Sequence, residues 1–300
     1  MGQLRELPGR VGLNPRRSSG TSGARPKRPA SNVQTSAPPR NGPRIVTLDI
    51  ETAPLQSYHW GLWDQNIGLE QVSADWSILA FCAKWLGDDK LIYRDSGGRG
   101  VDHVRDDQQL LADLWAVLDE ADIVVAQNGK AFDVKRVNAR MLMKGFKPYS
   151  PIRIVDTMLV AKRHFAFTSN KLAWLSKNLT PAKKSTHKQF PGFELWDQCM
   201  RDNPSAWQEM RKYNCADVVA TEQLYLRLRP WVEGHPNVAT YSSLEKISCP
   251  KCGSRNVQMR GRSVTQFGEY HRFQCLNCGG WARSRYTLNT LRKRKSLLAN

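Results

Sequence analysis

From residue 44 onward the hydrophobic pattern changes period several times, and each change marks an element. Residues 44–50 (RIVTLDI) read as a strand, and 76–86 and 90–94 as two more. Leu110, Leu111, Leu114, Val117 and Leu118 fall at helical spacing, with Asp106 or Asp107 placed to cap that helix. A short apolar run at 123–126, ending in Gln127-Asn128-Gly129, predicts a buried strand. Val134, Val137, Met141 and Leu142 predict a helix that stops near Gly145. Residues 152–155 read as a strand, and 171–179 as a short helix with Leu172, Leu175 and Leu179 on one face. Asn203-Pro204 sets a cap before a proline at the first helical position; that helix runs toward Arg229 and ends before Pro230. Three strands, then alternating helix and strand, then helices predict an α/β fold with a mixed sheet covered by helices.

The first 44 residues have no such period. They hold no aromatic residue, thirteen Gly or Pro and five Ser. Such a segment cannot bury enough apolar surface to offset its ordering entropy, which predicts a disordered basic tail over 1–43. It lacks the apolar stretch of a secretory signal; its Arg and Ser leave an organellar targeting segment open, though its Pro and Gly oppose an amphipathic helix. The 300-residue chain carries 45 Lys+Arg against 27 Asp+Glu, a net charge of +18. Residues 1–44 contribute +8 and 241–300 contribute +10, while 45–240 is neutral. Two basic ends around a neutral middle point to a polyanion bound with counterion release. No run of 18 apolar residues occurs, so no membrane-spanning helix is expected.

The neutral middle holds the candidate chemistry. On a strand, side chains alternate faces, so Asp49 and Glu51 point one way while Leu48 and Ile50 point into the core. Two carboxylates on one face repel unless a cation sits between them, and a divalent metal is the usual answer. Asp133 ends the run Asn128-Gly-Lys-Ala-Phe132-Asp133, leaving a buried strand and entering a helix. Tyr213 and Asp217 are four apart and share a helix face. Alone, each piece has a plainer reading: a strand-end acid pair, a helix-start acid, a surface Tyr–Asp pair.

Together, in this order and on these elements, the three pieces resemble the DEDD superfamily of 3′→5′ exonucleases, which have a ribonuclease H-like fold. Asp49 and Glu51 match its Asp-x-Glu motif, and Asn128, Phe132 and Asp133 its Asn-x-x-x-Phe-Asp motif. Tyr213 stands four before Asp217, while Lys212 occupies the position of the alternative His, so the chain is similar to the tyrosine branch. The likeness is to the proofreading domain of family B DNA polymerases and to stand-alone phage and bacterial relatives, and covers about 44–230.

The resemblance implies a two-metal-ion hydrolysis of phosphodiester bonds with Mg²⁺ or Mn²⁺. Asp49 would bridge both ions, Glu51 and Asp217 would complete the site that activates water, and Asp133 would help hold the second ion. Tyr213 would orient the attacking water, since a free Tyr with pKa near ~10 is a poor base at neutral pH. Asn128 would contact the terminal nucleotide. Phe132 reads as core and Asp156 as a helix cap or structural acid. His187, beside Lys183, Lys184 and Lys188, is a candidate phosphate contact or part of a solvated loop.

Cys249-x-x-Cys252 and Cys275-x-x-Cys278 are each followed by glycine, Gly253 and Gly279, as in a zinc knuckle. Val257, Val264, Tyr270 and Phe273 between them suit short strands. This resembles a zinc ribbon with one structural Zn²⁺ on four cysteines. Cys82, Cys199 and Cys215 remain as an odd free set, which fits a reducing cytoplasm, bacterial or phage-infected, or a nucleus or organelle in a eukaryote. Six arginines of the ribbon and the run Arg292-Lys-Arg-Lys295 interleave with Tyr270, Phe273 and Trp281, a mixture suited to single strands.

The expected organisation is a tail (1–43), a ribonuclease H-like exonuclease domain (44–240), a zinc ribbon (241–291) and a basic C-terminal tail (292–300). The expected function is 3′→5′ hydrolysis of DNA, single-stranded for preference. The polymerase resemblance implies replication or repair proteins as partners. RNA trimming, or non-catalytic binding on a nuclease scaffold, are the competing readings. A scaffold freed from catalysis has no chemical need for Asp49, Glu51, Asp133, Tyr213 and Asp217 together.

Overall fold

The computed structural model describes residues 42–243 and 245–298; all but the last two residues of the expected tail 1–43 lie outside them. Strands β1 (Ile45–Thr52), β2 (Gln56–Ser57), β3 (Val72–Ala74), β4 (Ile78–Trp85) and β5 (Leu91–Asp95) come first. Then follow α1 (Gln108–Glu120), β6 (Ile123–Ala126), α2 (Asp133–Met143), β7 (Arg153–Asp156) and α3 (Thr157–His164). Helices α4 (Leu172–Leu179), α5 (Glu194–Met200) and α6 (Pro204–Leu228) precede β8 (Val257–Thr265), β9 (Gly268–Cys275), β10 (Trp281–Arg283) and α7 (Leu291–Lys295).

Five strands form a mixed sheet in the order β5-β4-β1-β6-β7. β1 pairs antiparallel with β4 and parallel with β6, and β6 runs parallel to β7. The alternation of β1 sets the two layers. Val46, Leu48 and Ile50 pack with Leu111, Leu114 and Val117 of α1 and Val137 and Met141 of α2. Ile45 on the other face packs with Tyr225 of α6. α6 begins at Asn203, whose side chain accepts from Ser205 N–H, and passes into a 3₁₀ turn, Arg229–Trp231, that takes up Pro230. No described helix is long and apolar enough to cross a membrane.

Two expectations need correction. Leu142 is 79% exposed. It lies about 100° of helix rotation past Met141, which turns it outward. Arg140 takes the inward place instead, because it has a partner. Asp107 stands at the N-cap of α1, but its side chain makes no cap hydrogen bond. Its carboxylate accepts Arg140 Nε at 2.7 Å, Arg140 Nη2 at 2.8 Å and the Ile78 N–H at 3.1 Å. Asp106 takes the N–H of Gln108 at 3.3 Å. The hairpin of β2 and β3 and helix α5 were too short to leave a period in the sequence.

Asp107 and Arg140 are both buried, so they tie α1, α2 and the start of β4 through a desolvated, two-pronged ion pair. Removing one partner strands the other charge. Asp107→Ala should lower unfolding free energy by about 3–5 kcal/mol, while a Leu/Met double replacement of the pair should cost far less. Urea unfolding monitored by circular dichroism checks this; a loss below about 1 kcal/mol for Asp107→Ala would refute it.

Candidate active site

β1 outlasts its parallel neighbour. Its ladder with β6 runs only from Ile45↔Ile123 to Thr47↔Val125. Asp49 and Glu51 therefore project beyond the ladder, on the α6 face of the sheet, and both are half-exposed. The Ile50 N–H lies between them and donates to Asp133 Oδ1 at 3.1 Å. Asp133, at the first turn of α2, is buried and thus joined to β1 in place of a strand neighbour.

The loop that delivers Asp133 is built around Asp156. Asp156 Oδ1 accepts the N–H groups of Met158 and Leu159, capping α3, and that of Asn128 at 3.1 Å; Oδ2 accepts Lys130 N–H at 3.1 Å. Asn128 adopts φ 68°, a left-handed backbone that Asn tolerates. A Cβ at Gly129 would lie 2.4 Å from that of Ala126, so only glycine fits the turn. Asp156 thus has the cap role its sequence position implies. Phe132 packs partly buried against the core, under the Arg136 guanidinium at 5.0 Å.

From the other side α6 presents Tyr213, Asn214 and Asp217, all buried. Asn214 Nδ2 donates to Asp49 Oδ2 at 2.6 Å and approaches the Asp49 carbonyl at 3.3 Å. Lys184 Nζ donates to Tyr213 OH at 2.7 Å and pairs with the Asp217 carboxylate. The Tyr213 ring is held edge-on by Trp196 (5.8 Å) and His187 (5.0 Å). His187 Nδ1 lies 2.8 Å from the Phe190 carbonyl, so the ring is fixed beside Tyr213.

Sequence reasoning missed Asn214 and the inward turn of Lys184. Asn214 was findable: it follows Tyr213 and stands three before Asp217, on the same helix face. Nothing in the basic stretch 183–188 marks Lys184 over its neighbours.

The electrostatics are severe. Burial, then Glu51, Asp133 and Asp217, hold Asp49 well above the usual carboxylate range. Burial, then Asp217, lifts Glu51 to about 8, with Lys184 and the Trp196 indole N–H opposing. Burial lifts Asp133 to about 7 against the hydrogen bond from Ile50. Burial also raises Asp217, opposed by Lys184, and raises Tyr213, so its hydroxyl keeps its proton. Asp217 Oδ1 is buried without a hydrogen-bond partner. Four carboxylates with one lysine among them and one oxygen orphaned form an all-oxygen donor set short of positive charge. That set fits a hard divalent cation.

The cysteines form a second centre. The Sγ atoms of Cys249, Cys252, Cys275 and Cys278 all lie within 4.8 Å of one another, the only group of His, Cys, Asp or Glu donors so closely gathered among the described residues. Gly253 and Gly279 have φ 74° and 77°, and their N–H groups donate to the carbonyls of Cys249 and Cys275, both at 2.9 Å. Two matching knuckles thus aim four thiols at one point, beside the sheet β10-β9-β8. A closed soft-sulfur tetrad fits structural zinc. Val238 N–H donates to the Pro250 carbonyl at 2.9 Å, tying the first knuckle to the segment after α6.

The raised value of Asp133 has a sign. The native state holds this proton longer than the unfolded chain, so without metal its contribution to stability is lost as pH rises from about 3.8 towards about 7. In EDTA, Asp133→Asn should therefore gain melting temperature relative to the unsubstituted chain as pH goes from 5 to 8. Parallel pH curves for the two proteins would contradict this.

A family model described as RNase_H superfamily matches residues 91–229. That span includes Asp133, Tyr213 and Asp217; β1 precedes it and the four cysteines follow it. No curated protein matches the sequence. Among solved structures, the family B DNA polymerase from the hyperthermophilic archaeon Pyrobaculum calidifontis matches at 16% identity and a TM-score of 0.46. The match covers 63% of this chain and 26% of the polymerase, so the chain spans about a quarter of that protein's length. The mixed five-stranded sheet flanked by helices is a ribonuclease H-like fold, and the C-terminal cysteine cluster fits a small zinc ribbon.

Proposed function

We propose that the protein is a metal-dependent 3′→5′ exonuclease acting on DNA, with single strands preferred. What supports this reading is that Asp133 and Asp217, from two other elements, act on the Asp49 and Glu51 carboxylates of β1, with Tyr213 beside Asp217. Such a cluster is costly to fold and has no structural use.

Asp49, Glu51, Asp133 and Asp217 would hold Mg²⁺ or Mn²⁺. When bound, the metal supplies an acidified water and neutralises charge on the phosphoryl group. Tyr213, kept neutral by its surroundings, offers an O–H to orient that water rather than a base to deprotonate it. Lys184 lies within reach of Tyr213 and Asp217 and offers positive charge to a phosphate displacing it. Asn128 would meet the terminal nucleotide. Residues 44–240 form the catalytic part of this account. The ribbon at 241–291, with one structural zinc, and the basic ends 1–43 and 292–300 grip the strand. Partners are nucleic acid and, through it, replication or repair proteins in a reducing compartment.

A gel assay with 5′-labelled single-stranded DNA tests the reading. With Mg²⁺ the unsubstituted chain should give a ladder shrinking from the 3′ end; EDTA, Asp49→Ala and Asp133→Ala should each abolish it. Full activity in Asp49→Ala would reject the site. A matched RNA oligonucleotide cut faster than DNA would move the substrate to RNA, and retarded migration without cleavage would favour a binding protein.

Asn214 touches the metal-holding Asp49 rather than the reacting atoms. Asn214→Ala should cost about 10–100-fold in metal affinity or turnover, as loss of a ligand's hydrogen-bond partner does. The check is a Mn²⁺ titration of the initial rate; a variant within twofold at every concentration would contradict it.

A further inference from the structure

Between Ala53 and Asp75 the chain leaves the sheet and shows solvent an unusual set of side chains. Trp60 is fully exposed and Trp63 is 81% exposed, with Tyr58 and Leu62 also outside. Contiguous exposed apolar surface of this kind marks an interaction site. The excursion is held at its base. β2 pairs with β3, Tyr58 N–H donates to the Gln71 carbonyl at 2.9 Å, and Arg105 donates to the carbonyls of Pro54 and Asp75. The rings are thus carried on an anchored frame.

The frame begins beside the carboxylates. Thr52 follows Glu51, and a recess of about 300 Å³ lies between Thr52, Pro54, Gly192, Phe193 and Trp196. Trp196 is also the indole that meets Glu51 and packs against Tyr213. Phe193, 62% exposed, adds another ring at the recess. The recess next to Glu51 therefore carries two rings, Phe193 and Trp196, and the excursion starts from its rim at Thr52 and Pro54.

The chemistry of those faces selects an occupant. From Pro54 to Trp76 there is no Lys or Arg. Its charged side chains are Asp64, Glu70 and Asp75, so the grip on phosphates falls to the basic stretch 183–188 and to the +10 carried by 241–300. What it offers is planar aromatic surface, on which unpaired bases stack whatever their sequence. We propose that residues 55–69 form a base-stacking surface for an unpaired nucleic-acid strand whose 3′ end lies at the recess beside Glu51. This rests on the nuclease reading for its direction and explains the preference for single strands.

The test uses the full chain, with Trp60→Leu/Trp63→Leu and Trp60→Phe/Trp63→Phe double variants. Both positions are exposed, and thermal melts matching the unsubstituted chain verify folding. Binding of a single-stranded oligonucleotide is measured by fluorescence anisotropy without added Mg²⁺ or Mn²⁺, at low and high salt. The Leu pair should weaken binding by about tenfold or more, and the Phe pair should retain it within about threefold. The Leu deficit should keep the same factor at both salt concentrations, because no phosphate contact is lost. A strand carrying 2-aminopurine near its 3′ end should be quenched by the unsubstituted chain and not by the Leu pair.

Unchanged affinity in the Leu pair would overturn the proposal and assign the surface to a protein partner. A deficit that disappears at high salt would also overturn it. The gel assay run alongside separates the two readings. Cleavage with an unaffected Leu pair rejects the stacking surface alone. No cleavage, with weakened binding in the Leu pair, rejects the nuclease and leaves the stacking surface standing.

Discussion

Repulsion between carboxylates is the constraint around which this molecule is organised. Burial holds Asp49, Glu51, Asp133 and Asp217 above the usual carboxylate range, and for Asp49 and Glu51 the neighbouring carboxylates add to it. Left to themselves such groups separate. Here three parts of the fold fix them: the centre of the sheet holds Asp49 and Glu51, the start of α2 holds Asp133, and the interior of a 25-residue helix holds Asp217. The scaffold resists the repulsion through contacts remote from it. Asp107 and Arg140 join α1 to α2, and Asp156 gathers the N–H groups of the loop that leads to Asp133. Lys184 supplies one positive charge, leaving room for more.

The second centre follows a different logic. Its four thiols are brought together by local turns, with two glycines at positive φ letting each knuckle fold back on itself. Strand β8 exposes most of its side chains and β9 fully buries only its two end residues, Gly268 and Cys275, so little apolar burial supports them. A metal held there would supply folding energy. The oxygen centre stresses its fold, whereas the sulfur centre would sustain its own once loaded. Basic side chains of the ribbon lie over its aromatic rings, with Arg283 3.9 Å from Tyr270 and Arg272 5.0 Å from Trp281. Those rings are thus partly covered by cations, whereas Trp60 stands bare.

Features that repeat along the chain were legible in the sequence. The strand at 123–126, the capped proline helix at 203–228 and the paired Cys-x-x-Cys knuckles all depend on neighbours in sequence. The shared face of Asp49 and Glu51 follows from strand alternation alone. What was not legible depends on partners distant in sequence. Asp107 looked like a cap because Arg140 is 33 residues away. Leu142 looked buried because the pattern could not know that a charged residue had a buried partner. Lys184 reaches Asp217 across 33 residues, so no local pattern announces it, and Asn214 reaches Asp49 across 165, so its helix face could mark its position but not its partner.

The central claim is that this repulsion is balanced by divalent cations at the oxygen centre. Anomalous diffraction from crystals grown with Mn²⁺, collected on both sides of the manganese absorption edge, tests it directly. The account predicts manganese signal among the carboxylates of Asp49, Glu51, Asp133 and Asp217, and a separate zinc signal at the four cysteines. Zinc at the cysteines with no manganese at the carboxylates, in crystals whose Asp49 and Asp217 side chains are well ordered, would contradict it.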